Sequence, residues 1–255
     1  MRAVALCPPD WRLEEAALAE AIGPRTRVVV LNSPHNPTGR VLDPGELELV
    51  AAACRRHDLI AITDEVYEHL VYEGTHVPLA TLEGMPERTL TTSSLGKTYS
   101  LTGWKVGWAT GAPELVARVR AVKQFLTFAG GTPLQHAAAT ALALPEAEVA
   151  ELAGALAAKR DRLAAGLAEL GFDVLPTAGT YFLNADASPL GHWDAADLCR
   201  RLPEEAGVAA IPISAFVSAD GDAEGTRPLV RFVFCKRAEV IDEALARLAG
   251  WIARG

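Results

Sequence analysis

The sequence predicts an α/β fold, in which a mainly parallel β-sheet carries helices on both faces and a smaller α+β domain follows. Apolar, β-branched runs alternate with helix-like segments over the first two-thirds of the 255 residues, and polar clusters follow these runs directly. The last third differs, because one long Ala/Leu/Arg segment precedes irregularly spaced strand candidates. This change of pattern indicates a second domain of the α+β class.

Each element of the first two-thirds has a local signal. Residues 27–32 form a continuous β-branched run, as in a strand buried on both faces. Asp43 and Pro44 open a helix that runs to about residue 57, because proline is favoured in the first helical turn. Strands and helices joined by such short links imply right-handed βαβ units. The other predicted elements are a short strand at 4–6, a helix at 14–22 and strands at 59–63, 89–93 and 105–110.

The smaller domain is predicted to begin near residue 141, which leaves residues 1–140 as the larger domain. Pro145 starts a long helix that Gly171 ends, since glycine is common just after a helix C-terminus. The polar, glycine-rich segment at 218–228 is predicted to be a mobile surface loop. The remaining predictions are strands at 172–175, 180–184, 208–211 and 229–234, and helices near 195–202 and 239–252.

Composition limits the classes of function. The chain has 32 Asp and Glu against 24 Lys and Arg, a net charge of −8, which argues against a nucleic-acid-binding protein with its usual basic face. No apolar run approaches the roughly 18 residues that a membrane helix needs. The four cysteines are scattered without a C-x-x-C pair, so we expect free thiols and a cytoplasmic location. They are Cys7, Cys54, Cys199 and Cys235.

Three polar segments follow predicted strands, at the sheet edge where parallel sheets bind ligands. In the first, at 32–39, two prolines and a glycine fix the backbone around Asn36. Because Asn-Pro is also ordinary turn chemistry, this segment is either a simple turn or a rigid loop that directs the Asn36 amide at a ligand. We interpret His35 as structural or exposed rather than catalytic.

The second segment, at 63–67, places the carboxylate of Asp64 where a buried strand meets the pocket. Asp64 is either a helix cap or the partner of a cationic cofactor group, because a lone buried carboxylate is costly. Glu65 and His69 are four residues apart, as metal ligands on one helical face would be. No third ligand has a recognisable spacing, so no metal site is predicted.

The third segment, at 92–98, contains Lys97 on a turn relaxed by Gly96, and Lys105 lies eight residues further on. A lysine in a dry pocket or near another cation presents a free amine that can form an imine, whereas most lysines are simply solvated. The Gly-Lys-Thr triplet is not a phosphate-binding P-loop, because a threonine stands where that pattern needs its first glycine.

Arg231 lies inside an otherwise apolar strand candidate at 229–234. An unpaired buried guanidinium is costly, so Arg231 needs an anionic partner. That partner is either an internal Asp or Glu, or a substrate carboxylate held by two parallel hydrogen bonds.

Taken together, these segments resemble the pyridoxal-phosphate-dependent aminotransferases of fold type I, class I/II. The likeness covers essentially the whole chain. Residues 97–108 and the C-terminal third most resemble the branch that contains kynurenine/glutamine aminotransferases and actinobacterial N-succinyldiaminopimelate aminotransferases. Five motifs in the family order make the signal specific. They are Asn-Pro-Thr-Gly at 36–39, the segments 64–67, 94–98 and 103–107, and Arg231 in its apolar strand.

The resemblance implies a role for each motif, with residues 1–140 as the cofactor-binding domain. Lys97 would form an imine with pyridoxal 5′-phosphate and later move a proton between the substrate Cα and C4′. Asp64 would keep the pyridine nitrogen protonated, so that the ring acts as an electron sink. The implied reaction exchanges an amino group between an amino acid and a 2-oxo acid. The other implied contacts are Asn36 and Tyr67 at the ring 3-oxygen, Ser94 and Lys105 at the phosphate, and Arg231 with Asn36 at the substrate.

The sequence departs from the family ahead of Val4. Family members carry there a turn and helix end that bind the phosphate, an aromatic residue stacked on the pyridine ring, and a segment that completes the substrate pocket. No equivalent precedes Val4 here, so we expect a fragment or a mis-assigned start with weak or no activity of its own. Family members are generally homodimers, and the same is expected of the complete protein.

Two alternative functions stay open. A carbon–sulfur β-lyase on the same scaffold would share every residue named above, and release of pyruvate and ammonia from a cysteine conjugate would identify it. A non-catalytic aminotransferase-like domain is the other alternative, although the intact Lys97 argues against it. The amino donor is not identified by the sequence, because Arg231 recognises only the carboxylate that all donors share.

Overall fold

The computed structural model describes residues 1–217 and 224–254, and it contains two four-stranded sheets. The first sheet has the order β1-β2-β3-β4, with β1–β2 and β2–β3 parallel. The second has the order β5-β6-β8-β7 and is antiparallel. The predicted α/β fold with a mainly parallel sheet is therefore confirmed. The strands are β1 (Val28–Asn32), β2 (Ile60–Asp64), β3 (Thr89–Ser94), β4 (Gly107–Gly111), β5 (Asp173–Val174), β6 (Phe182–Asp186), β7 (Ile211–Pro212) and β8 (Leu229–Val233).

The chain divides into two compact units. The parallel-sheet unit comprises Glu14–Pro34 and Val41–Leu152, and the antiparallel-sheet unit comprises Met1–Leu13, His35–Arg40 and Ala153–Gly255. The domain boundary near residue 140 stays a prediction. The helices are α1 (Glu15–Ala21), α2 (Pro44–Arg56), α3 (Leu95–Thr98), α4 (Pro113–Leu126), α5 (Thr132–Leu142), α6 (Glu146–Glu169), α7 (Ala195–Glu205) and α8 (Ala238–Ile252).

The register of the parallel strands brings their carboxyl ends to one edge of the first sheet. Asn32 at the end of β1 pairs with Asp64 at the end of β2, and Asp64 pairs with Thr92 of β3. Between β1 and β2 the chain forms α2, where Asp43 and Glu46 make a reciprocal capping box. The predicted strand–helix–strand unit is thus present, and it places Asp64 at the carboxyl edge of the sheet, where parallel sheets commonly bind ligands.

Three details of the parallel-sheet prediction were wrong. The strand expected at 105–110 begins at Gly107 and runs antiparallel to β3, because only a four-residue helix and a short turn connect the two strands. β1 is not buried on both faces, since it is the terminal strand of the sheet and Val28 and Val30 are 42% and 69% exposed. Residues 4–6 form no strand, and Leu6 instead packs beside the buried cluster around Trp11.

In the antiparallel-sheet unit, β8 supplies much of the core. Its residues Leu229 to Phe232 are all buried, and Asn184 of β6 is the register partner of Arg231. Part of the loop predicted at 218–228 lies outside the described residues, because residues 218–223 are not described. Among the helices that the structure describes, none is long and apolar enough to cross a membrane.

Candidate active site

Lys97 lies in the short helix α3, which starts directly after β3. The Ser94 hydroxyl caps this helix by accepting a hydrogen bond from the Gly96 N–H at 3.3 Å. Lys97 Nζ lies 5.6 Å from the centroid of the Tyr67 ring, within cation–π range. Tyr67 is only 2% exposed, so its ring is a fixed support beneath the amine.

Asp64 ends β2, and its carboxylate is exposed at the edge of the sheet. Its carbonyl oxygen accepts a hydrogen bond from Asn32 Nδ2 at 2.7 Å, and its Oδ1 accepts one from the Val66 N–H at 3.3 Å. The residues after Asp64 form turns rather than a helix, so the helix-cap interpretation was wrong. The carboxylate is held in an Asx-type turn, from which it can contact a ligand.

Lys105 lies in the link between α3 and β4, where its backbone adopts a left-handed conformation with φ +54°. Its side chain is exposed. Gly107, two residues later, is the register partner of Ser94. The link thus ends beside Ser94, which is the residue that the resemblance pairs with Lys105 at a phosphate.

In the antiparallel-sheet unit, Arg231 is 8% exposed and lies between two phenyl rings. Its Cζ is 4.0 Å from the centroid of the Phe182 ring and 4.3 Å from that of Phe216. Arg231 Nη1 donates a hydrogen bond to Asn36 Oδ1 at 2.6 Å. The two ring contacts restrict the orientation of the guanidinium, whose planar shape suits a planar anion such as a carboxylate.

The loop that carries Asn36 contains a turn at residues 36–38 that hydrogen bonds attach to the rest of its unit. Gly39, at φ +73°, accepts hydrogen bonds on its carbonyl oxygen from the backbone N–H groups of Ala178 and Gly179. Asn184 Nδ2 donates to the Pro37 carbonyl oxygen at 3.0 Å. These bonds favour the rigid-loop interpretation of the sequence, in which the backbone directs the Asn36 amide.

His35 contributes to this loop as a structural residue. Its Nδ1 lies 2.8 Å from Thr38 Oγ1, and burial lowers the pKa of the imidazole to about 4. The ring is therefore neutral at pH 7, which agrees with the structural interpretation made from the sequence.

Glu65 has a different partner from the one that its spacing suggested. Its carboxylate lies 2.8 Å from His76 Nε2, whereas His69 is half-exposed and lies near Glu68. Within residues 1–217 and 224–254, no group of three or more His, Cys, Asp or Glu side chains is placed to hold a metal ion.

Four residues beside the predicted site residues could not be identified from the sequence. His76, Phe182, Asn184 and Phe216 each contact a predicted site residue or its loop, but all are distant from it in the sequence. Strand alternation offered a signal for Asn184 alone, because it is a polar residue on the buried face of an apolar strand.

The site residues predicted from the sequence fall into two groups. Asp64, Tyr67, Ser94, Lys97 and Lys105 belong to the parallel-sheet unit, and Asn36 and Arg231 belong to the antiparallel-sheet unit. A family model described as aminotransferase class I and II matches residues 2–248. The chain belongs to this family. The resemblance found in the five motifs is thereby confirmed.

Similar aminotransferases include bacterial and mammalian proteins. The chain is 52% identical over 250 residues to a probable N-succinyldiaminopimelate aminotransferase of Mycobacterium tuberculosis. The alignment covers 94% of this chain and 63% of that protein. It is 37% identical over 260 residues to kynurenine–oxoglutarate transaminase 3 of Mus musculus, covering 95% of this chain and 57% of the relative.

A solved structure shows the same fold. The N-succinyldiaminopimelate aminotransferase of Mycobacterium tuberculosis superposes with a TM-score of 0.92 at 51% identity, covering 96% of this chain and 64% of that one. The chain therefore spans less than two thirds of the length of these aminotransferases.

Proposed function

We propose that this protein is a pyridoxal-phosphate-dependent aminotransferase that moves an amino group between an amino acid and a 2-oxo acid. The observation that carries the proposal is Lys97, whose Nζ lies 5.6 Å from the buried Tyr67 ring. The amine follows β3, and the neighbouring strand β2 ends in Asp64. Membership of the aminotransferase family supports the same conclusion.

The donor set of the parallel-sheet unit fits this cofactor. A primary amine suits the aldehyde, a carboxylate suits a protonated pyridine nitrogen, and a phenol suits the ring 3-oxygen. A hydroxyl and an ammonium group suit the phosphate. The amine is that of Lys97, the carboxylate that of Asp64 and the phenol that of Tyr67. The hydroxyl is that of Ser94, and the ammonium group is that of Lys105.

Pyridoxal phosphate supplies, when bound, an electron sink for negative charge at the substrate Cα. Lys97 Nζ would hold the aldehyde carbon and, once displaced by substrate, accept and return the Cα proton. Asp64 would hold a proton on the pyridine nitrogen through a charge-assisted hydrogen bond. The buried Tyr67 ring would limit the directions from which the Lys97 amine approaches the substrate.

We further propose that Arg231 binds the α-carboxylate of the substrate. The two ring contacts restrict the guanidinium before any ligand arrives, which would lower the entropic cost of binding. The Asn36 amide oxygen accepts a hydrogen bond from Arg231 Nη1. This bond fixes the orientation of the Asn36 amide beside the guanidinium.

The first prediction concerns covalent capture of the cofactor. Incubation with pyridoxal phosphate and reduction with borohydride should label Lys97 selectively, and Lys97→Ala should reduce the stoichiometry of labelling to background. The exposed Lys236 provides the matched control, because Lys236→Ala removes a lysine without touching the site. Peptide mass spectrometry measures the outcome. Labelling spread evenly over the lysines would contradict the proposal.

The amino donor is then found by a screen with oxoglutarate as acceptor. The 52% identity makes N-succinyldiaminopimelate the first donor to test, followed by kynurenine and methionine. A cysteine conjugate belongs in the same screen, because release of pyruvate and ammonia from it would establish a β-lyase instead.

We propose that the 255-residue chain alone has weak or no turnover. Support comes from the exposed apolar residues Val28 and Val30 on the terminal strand β1, which favour association of the chain with itself. Cytoplasmic location and a homodimeric complete protein are also proposals. The four cysteines are free thiols, which favours a reducing compartment.

A further inference from the structure

The loop after Asp64 contains a buried acid–base pair that the proposed mechanism does not use. The side chains of Glu65 and His76 are 3% and 8% exposed, and Glu65 Oε2 lies 2.8 Å from His76 Nε2. Such a carboxylate needs a partner, because a buried charge or unpaired acceptor loses its hydration without compensation. The pair closes a loop in which residues 73–75 are exposed and His76 returns to the interior.

The backbone of Glu65 is held as firmly as its side chain. Its N–H donates to the Thr92 carbonyl oxygen at 2.9 Å, and its carbonyl oxygen accepts from the Glu68 N–H at 2.8 Å. The Glu68 carboxylate in turn accepts a hydrogen bond from Ser93 Oγ at 2.7 Å. These bonds attach the turn to the end of β3, immediately before the segment that carries Lys97.

Glu65 lies in the chain between two residues that are assigned to the cofactor, so the Glu65–His76 pair can affect their positions. Asp64 precedes Glu65 directly, and Tyr67 follows two residues later. A movement of the Glu65 backbone would therefore move both residues assigned to the cofactor ring. Supporting side chains of this kind matter, because a site must hold its geometry to within roughly 0.5 Å.

We propose that His76 is a positioning residue of the cofactor site. Through Glu65 it fixes the turn that carries Asp64 and Tyr67, and it thereby sets the orientation of the cofactor ring relative to Lys97. This inference rests on the proposed function, because the ring that it orients is that of pyridoxal phosphate.

Two histidine-to-leucine substitutions at different positions test the proposal. His76→Leu removes the donor to Glu65, whereas His69→Leu makes the same change at a side chain that is 52% exposed. His76→Gln is the rescue variant, since it keeps a side-chain N–H donor. Glu65→Gln is a milder variant that keeps the side-chain size, and it replaces His76→Leu if the latter does not fold.

The first measurement is amide hydrogen exchange in the chain without cofactor. We expect His76→Leu to accelerate exchange over 64–70 by about tenfold or more, because one partner of a buried bond is lost. Exchange in β2 should stay unchanged, and His76→Gln should restore most of the protection. Unchanged exchange at 64–70, or equal acceleration in all segments with a lower Tm, would overturn the proposal.

The second measurement is the visible circular dichroism of bound pyridoxal phosphate, which reports a fixed ring orientation. We expect His76→Leu to reduce this signal to about half or less at equal occupancy, while His69→Leu leaves it unchanged. Equal signals in the two leucine variants would overturn the proposal. A wild-type chain that binds no cofactor would instead contradict the proposed function, and the exchange result would still decide whether His76 fixes the turn.

Discussion

The buried His35, in the Asn36 loop, makes the stability of the folded chain depend on pH. Its pKa is lowered from 6.5 to about 4 by burial, so the unfolded chain takes up a proton at a higher pH than the folded chain does. Stability therefore decreases as the pH falls through 6.5, and the loss is complete below about 4.

We expect this group to lower the free energy of unfolding by about 2 kcal/mol between pH 7 and pH 5. Urea unfolding at both pH values measures the change, and His35→Gln should remove this part of it. A wild-type chain and a glutamine variant with the same pH dependence would show that the imidazole is not shielded in the folded state.

Single residues could be identified from the sequence where a charged side chain stands in or beside an apolar segment. Arg231 in an apolar strand and Lys97 after a strand could both be found in this way. His76 and Phe216 could not, because a buried pair or a stacked ring depends on residues that are distant in the chain. A single sequence contains no signal for such pairing.

At the scale of elements, the loop at 33–40 depends on close packing at Gly39. A Cβ atom there would lie 2.8 Å from Thr177 Cγ2 and within 3.3 Å of the carbonyl oxygens of Gly179 and Phe182. Gly74 has a similar left-handed backbone, with φ +77° against +73°, but nothing within 4 Å of the added atom. The two glycines therefore separate the cost of backbone strain from the cost of a clash.

We expect Gly74→Ala to reduce the free energy of unfolding by about 1 kcal/mol, through backbone strain alone. Gly39→Ala should cost about 2 kcal/mol more than that, because the packed backbone cannot move aside. Chemical denaturation of both variants gives the comparison. Equal losses would mean that the loop yields to the added methyl group.

Elements with a strong local signal were predicted well. The helix α2 has a capping box and a proline in its first turn, and its predicted and observed bounds nearly agree. The direction of β4 was missed because strand direction depends on how the connecting segment folds, which apolar periodicity does not report. The apolar run at 4–6 forms no strand, and its Leu6 packs against a buried cluster instead.

The terminal strand β1 exposes apolar side chains, which favour aggregation of the protein. Val28 and Val30 share one face of the strand, and both are exposed. We expect the double variant Val28→Thr/Val30→Thr to aggregate more slowly in light-scattering measurements, with a change in unfolding free energy below about 0.5 kcal/mol. Val29→Thr is the control, since Val29 faces the other side and is less exposed. Equal aggregation of the double variant and the wild type would show that a different surface drives aggregation.

The two units are discontinuous in the chain. Residues 35–40 belong with the antiparallel sheet, although the segments on both sides belong with the parallel one. Cutting the chain once, at residue 140 or at residue 152, would consequently separate Met1–Leu13 and His35–Arg40 from the rest of their unit. Neither half could be excised as an intact piece, and Asn36 would be parted from Arg231 in any such dissection.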